Sequence, residues 1–158
     1  MEEGVSSMGR LDDRVAIVTG GGRGIGQATS LRLAADGASV VVNDIDDAPA
    51  NETVALIEAA GGKAIACVAN TVEMAQAERL VQAAVDAYGK IDIIVNNAGV
   101  TRDKMFHGLD DAQFDFVFDA NLKTGFHTTL AAMPYLREVA KKEIAENGKV
   151  AYNRKIVF

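Results

Sequence analysis

The sequence has no apolar run approaching the ~18 residues of a membrane span, which excludes a chain that crosses a bilayer as a helix. Its start, MEEGVSSMGR, is acidic and has no apolar core, so it resembles neither a secretory signal nor an arginine-rich transit peptide. Basic side chains are also scarce: 16 Lys and Arg stand against 22 Asp and Glu, for a net charge of -6. A nucleic-acid backbone would be repelled on average, and no local basic patch offsets this, so a nucleic-acid partner is excluded. Cysteine occurs once, at Cys67. An internal disulfide is therefore impossible, which fits a reducing compartment and makes the cytoplasm the expected location. No linker, low-complexity stretch or fixed-period repeat interrupts the chain after its first residues. The 158 residues, 49% of them hydrophobic, suffice for one domain and not two. A flexible tail is expected over residues 1–10 and a single domain over 11–158.

Two periodicities alternate along that domain. Short β-branched runs occur at Val15–Val18, Ser39–Val42, Ala64–Ala66, Ile91–Val95 and Lys155–Phe158. Longer segments with helical spacing lie between them. Ala77, Leu80, Val81, Ala84, Val85 and Tyr88 form one apolar stripe, with Thr71 placed as a cap and Gly89 as a stop. A second helix is expected after Pro49, carrying Val54, Ile57 and Ala60 up to Gly61-Gly62. A third should open at Asp110 or Asp111 and run through Phe114, Val117, Phe118 and Leu122, with Pro134 kinking or interrupting it. Strands that are almost wholly apolar must be covered on both faces, and strand–helix alternation supplies that cover. The expected fold is a doubly wound parallel α/β sheet, whose ligands bind at the carboxyl ends of the strands.

The first strand runs straight into Thr19-Gly20-Gly21-Gly22-Arg23-Gly24-Ile25-Gly26 and then a helix. Glycines let backbone N–H groups approach a pyrophosphate with no Cβ in the way, and the helix N-terminus adds partial positive charge. A tight turn with close strand–helix packing would use glycine as well. No Lys-Ser or Lys-Thr follows, so this is not a P-loop. Asp44 closes the second strand, eighteen residues after Gly26, near the spacing of the ribose-binding acid in Rossmann-like folds. A carboxylate there accepts both ribose hydroxyls of NAD and repels the extra phosphate of NADP. Arg23 pulls the other way, because a basic side chain in this loop reaches toward a 2′-phosphate. NAD is the expected cofactor. An ordinary turn acid is the alternative for Asp44, since Asp46 and Asp47 follow and suit a helix start.

A third motif, Asn96-Asn97-Ala98-Gly99, ends the fourth strand. Together with T-G-x-x-x-G-x-G it resembles the short-chain dehydrogenase/reductase family, over Leu11 to Phe158. The resemblance implies that Thr19, Gly20, Gly24, Ile25 and Gly26 bind pyrophosphate and the adjoining ribose, with Asp44 on the adenosine ribose. It implies that Asn97, Ala98 and Gly99 line the nicotinamide-side ribose and that Asn96 holds the central strands together. Asn70 stands where the family usually has an Asp near adenine; its amide oxygen can still accept that bond, or it serves only as a helix-start residue. Gly99–Lys104 and Asn121–Phe126 resemble 3-oxoacyl-[acyl-carrier-protein] reductases and the related 3-hydroxyacyl-CoA dehydrogenases.

The same resemblance implies a small-molecule substrate, homo-oligomeric full-length enzymes, and catalysis by an Asn, a Ser, and a Tyr and Lys spaced Y-x-x-x-K. Asn121 matches the first of these. Tyr152 and Lys155 are three residues apart and precede the fifth strand, so they are rejected as the pair. His107 and His127 share no metal-ligand spacing with another His or Cys, and no metal is expected. The segment from Lys141 to Arg154 reads as a surface excursion. The sequence stops within Ile156-Val157-Phe158, and the expectation is a family member truncated after about its fifth strand, inactive alone and prone to self-association through that strand. A noncatalytic dinucleotide-binding module and a nonfunctional fragment are the alternatives.

Overall fold

The computed structural model describes residues 9–158. Most of the expected tail over 1–10 lies outside those residues. Gly9 already belongs to a turn, its N–H donating to Asp12 Oδ2 at 2.8 Å. Five strands follow: β1 (Val15–Val18), β2 (Ser39–Asp44), β3 (Lys63–Val68), β4 (Ile93–Val95) and β5 (Lys155–Val157). They form one wholly parallel sheet in the order β3-β2-β1-β4-β5. The chain winds outward from β1 to β3 and then returns to the other side of β1 as β4. That reversal opens a crevice at the carboxyl ends of β1 and β4.

The helices are α1 (Gly24–Ala35), α2 (Asp47–Ala59), α3 (Met74–Tyr88), α4 (Asp111–Phe118) and α5 (Thr124–Asn147). Successive residues of a strand face opposite sides, so each strand feeds two cores. Val18, Val40 and Val42 pack with Ala34, Ala50 and Ile57 under α1 and α2. Ile17, Val41 and Ile94 pack with Leu80, Val81 and Ala84 of α3 and with Ala132 and Leu136 of α5. Full burial of each such Val, Leu or Ile contributes about 1.5–3 kcal/mol, and together they hold the strand ends in register for the crevice.

Helix boundaries depart from expectation at five places. α3 starts after Glu73 rather than at Thr71, because Asn70 Oδ1 accepts the Val72 N–H at 3.2 Å and holds one more turn before the helix. α2 begins at Asp47, with Pro49 inside its first turn, where no N–H is needed. α4 opens as expected, with Asp110 accepting the Gln113 N–H at 2.8 Å, yet it buries none of its residues. Nothing among the described residues covers Phe114 and Phe118, which stack on each other at 5.9 Å instead. A π-helical turn, Asp119–Lys123, then leads into α5, which runs unbroken through Pro134. The proline is exposed, and so is Leu130 four residues before it, where water can satisfy the freed carbonyl. The expected excursion from Lys141 is helical as far as Asn147, and only the stretch after it is loop. That loop is pinned by Arg154, whose two Nη atoms lie 2.8 and 3.1 Å from Glu143, and by the Tyr152 hydroxyl, which donates to Asp92.

Candidate functional site

The turn from β1 into α1 is packed against its neighbours from both sides. Gly20 has φ +60°, and a Cβ on it would stand 3.0 Å from the Ala98 backbone. A Cβ on Gly22 would meet Asp44 Oδ2 at 2.7 Å, and one on Gly26 would overlap the Gly20 carbonyl. None of these three positions has room for a Cβ without a shift of its neighbours. Arg23 occupies the N-cap position of α1 without a side-chain cap, so the first N–H groups of the helix stay open to an anion.

Thr19 is buried, with 1% exposure, and lines no part of the crevice. Its hydroxyl accepts the N–H groups of Asn97 and Ala98, both at 3.1 Å. Asn97 returns the tie, donating through Nδ2 to the carbonyls of Thr19 at 3.0 Å and Gly20 at 3.1 Å. Thr19 thus ties the end of β1 to the Asn97–Ala98 wall of the crevice. Asn96 joins the end of β4 to β5, its N–H donating to the Val157 carbonyl at 2.9 Å, while its side chain donates to Thr129 of α5 at 3.2 Å.

Asp44 ends β2 with Oδ2 accepting the Gly22 N–H at 3.0 Å and Oδ1 accepting the Asp46 N–H at 3.2 Å. Each oxygen keeps a further lone pair, so both can still receive hydroxyl donors. Arg23 pairs with Asp46 at 3.0 Å. Asn70 lines the same side, its side-chain oxygen accepting the Val72 N–H at 3.2 Å and keeping a second lone pair.

The crevice has a volume of about 620 Å³, within the range of small-molecule sites. It brings together Gly20, Ile25, Gly26, Asp44, Asn97 and Gly99. Phe116, Asp119 and Thr124 also line it, and sequence reasoning missed all three. They arrive through α4 and the π turn, whose inserted residue rotates the chain in a way that no regular spacing signals. Asn121 sits in that turn. Its Nδ2 donates to the carbonyls of Val100 and Val117, both at 2.8 Å, tying the loop after β4 to the helical layer.

The tyrosines do not reach this edge of the sheet through Tyr152. Its hydroxyl meets Asp92, whose Oδ2 accepts the N–H of Val15 at 2.9 Å, at the amino end of β1. Burial, then the hydrogen bond to Asp92, push the Tyr152 hydroxyl above the usual phenol range. The Cys67 thiol is likewise pushed up by burial, with Arg79 opposing it. His107 lies in an exposed turn, Phe106–Gly108, and His127 in α5. Among the described residues no three His, Cys, Asp or Glu side chains converge on a metal-sized space.

With this geometry in hand, residues 14–150 match the family model for short chain dehydrogenases. The chain belongs to the short-chain dehydrogenase family. It is 45% identical over 122 residues to a peroxisomal hydratase-dehydrogenase-epimerase of Neurospora crassa, covering 77% of this chain and 13% of that protein. It is 37% identical over 127 residues to the 3-oxoacyl-[acyl-carrier-protein] reductase FabG of Thermotoga maritima, covering 80% of this chain and 52% of the other. A solved short chain dehydrogenase from Mycobacterium avium superposes with a TM-score of 0.82 at 40% identity, over 92% of this chain and 51% of that one. The chain thus spans about half the length of the reductase, and a smaller share of the Neurospora protein. Short-chain dehydrogenases are oxidoreductases that bind NAD(P) and act on small molecules. No described helix is long and apolar enough to cross a membrane.

Proposed function

We propose that this chain forms the dinucleotide-binding half of an oxidoreductase that exchanges a hydride between NAD(H) and a carbonyl or alcohol, with 3-oxoacyl thioesters as the substrate class. The observation that carries the reading is Asp44: its carboxylate stands at the end of β2 and accepts the N–H of Gly22, in a turn where Gly20, Gly22 and Gly26 have no room for a Cβ. Bound NAD would supply the hydride acceptor, and NADH the donor. Gly24, Ile25 and Gly26 would hold the pyrophosphate through open helix N–H groups, and Asp44 would accept the adenosine ribose hydroxyls. Asn97, Ala98 and Gly99 would line the nicotinamide-side ribose, on a wall fixed by Thr19. Asn121 would position the loop that follows. The assignment to thioesters draws on the likeness of Gly99–Lys104 and Asn121–Phe126 to 3-oxoacyl reductases and on the Thermotoga relative.

Among the described residues no tyrosine lines the crevice, so this chain is assigned binding and orientation rather than proton donation. The same observation favours a second reading, a nucleotide-binding module with no catalysis of its own. A free, buried Cys67 suits a reducing compartment such as the cytoplasm. Calorimetric titration of the chain with NADH and NADPH tests the reading. NADH should bind at least tenfold more tightly, and Asp44→Asn should shrink that gap, since one charge–phosphate repulsion is lost. Equal affinities, or a preference for NADPH, would overturn the assignment to NAD.

A further inference from the structure

Resting on the NAD reading, we propose that Asp46 is a specificity-determining residue: its ion pair restrains and neutralises the one cation that could receive the 2′-phosphate of NADP. Among the described residues that line the crevice, Arg23 is the sole base, beside the acids Asp44 and Asp119. Asp119 is answered by Lys123 at 3.4 Å, outside the lining. Arg23 immediately precedes the open end of α1, and its Nη1 lies 3.0 Å from Asp46 Oδ2.

The backbone sets up this pairing. Asp44 Oδ1 accepts the Asp46 N–H and turns the chain into α2, where Asp46 holds the N-cap position. An Asp there ordinarily accepts an N–H from the first helical turn. Asp46 makes no such bond, and its carboxylate goes to the guanidinium instead. The two side chains are 68% and 51% exposed, so the pair contributes little to stability. Its consequence is local charge. Asp44 repels a 2′-phosphate, a free Arg23 would attract one, and Asp46 cancels that attraction at contact distance.

The test is the affinity ratio of NADPH to NADH, measured by calorimetry on the whole chain. Asp46→Asn keeps a good N-cap residue and removes the charge. It should raise the ratio about three- to tenfold, the size expected for one unit charge several ångströms from a phosphate in screened solvent. Adding Arg23→Ala should erase the gain, and 0.5 M salt should shrink it. A ratio that does not move while NADH still binds would overturn the proposal and leave the NAD reading intact. A gain that survives in the double variant would overturn it too, because the effect would not act through Arg23. Failure of the unaltered chain to bind either nucleotide would remove both readings together.

Discussion

Single residues differ in how plainly their role can be read from sequence. The glycines and Asp44 are legible because each answers a local backbone constraint: a cradle without room for Cβ, and a strand end beside it. Thr19 is not, because its hydroxyl serves N–H groups 78 and 79 residues away, and its side-chain type fits a surface turn equally well. Tyr152 carries the same lesson. Near Lys155 it invites a catalytic reading, but the fold sends it to the amino edge of the sheet, with the Arg14 guanidinium 3.3 Å from its ring centroid. Its pKa is raised in the folded state by burial and by Asp92. A hydroxyl that titrates later when folded stabilises the protein at pH values below the unfolded value, about 10. That contribution is lost as the pH rises through the higher folded value. Tyr152→Phe should therefore lower the melting temperature at pH 7, and the difference from the unaltered chain should narrow above pH 10. Thermal melts at pH 7, 9 and 11 read this, and a constant difference across them would contradict it.

Elements were legible where one face is buried against a neighbour. α3 shows its stripe because Ala77, Leu80, Val81 and Ala84 are all buried, the last three in one core with Ile17, Val41 and Ile94 of the sheet, and Gly89 ends it in the left-handed conformation at φ +78°. α4 carries apolar residues that resemble such a stripe and buries none of them, since helical spacing records a face but not what lies opposite. The π turn after it escaped notice because one inserted residue leaves no periodic mark. Its function in the fold rests on Asn121, whose side chain joins Val100 to Val117. Asn121→Ala should release the Val100 loop while leaving the sheet intact. Backbone ¹⁵N order parameters should then fall at Val100–Asp103 toward the flexible range and stay at the rigid value of about 0.85 at Val40–Val42. An equal fall in both segments would show that Asn121 supports the whole domain instead.

At the scale of the molecule, the doubly wound parallel sheet was legible from alternation, because apolar strands and intervening helices admit few arrangements, whereas the strand order β3-β2-β1-β4-β5 comes from the structure. Among the described residues β5 pairs with β4, Ile93 to Val95 standing against Lys155 to Val157. The central claim concerns where the nucleotide sits, and amide NMR of the ¹⁵N-labelled chain titrated with NADH addresses it most directly. The expected result is a set of shifts confined to Gly20–Gly26, Asp44–Ile45 and Asn97–Gly99, with Arg14, Val15 and Asp92 at the opposite edge unmoved. Shifts centred on that opposite edge, or none at saturating NADH, would contradict the account.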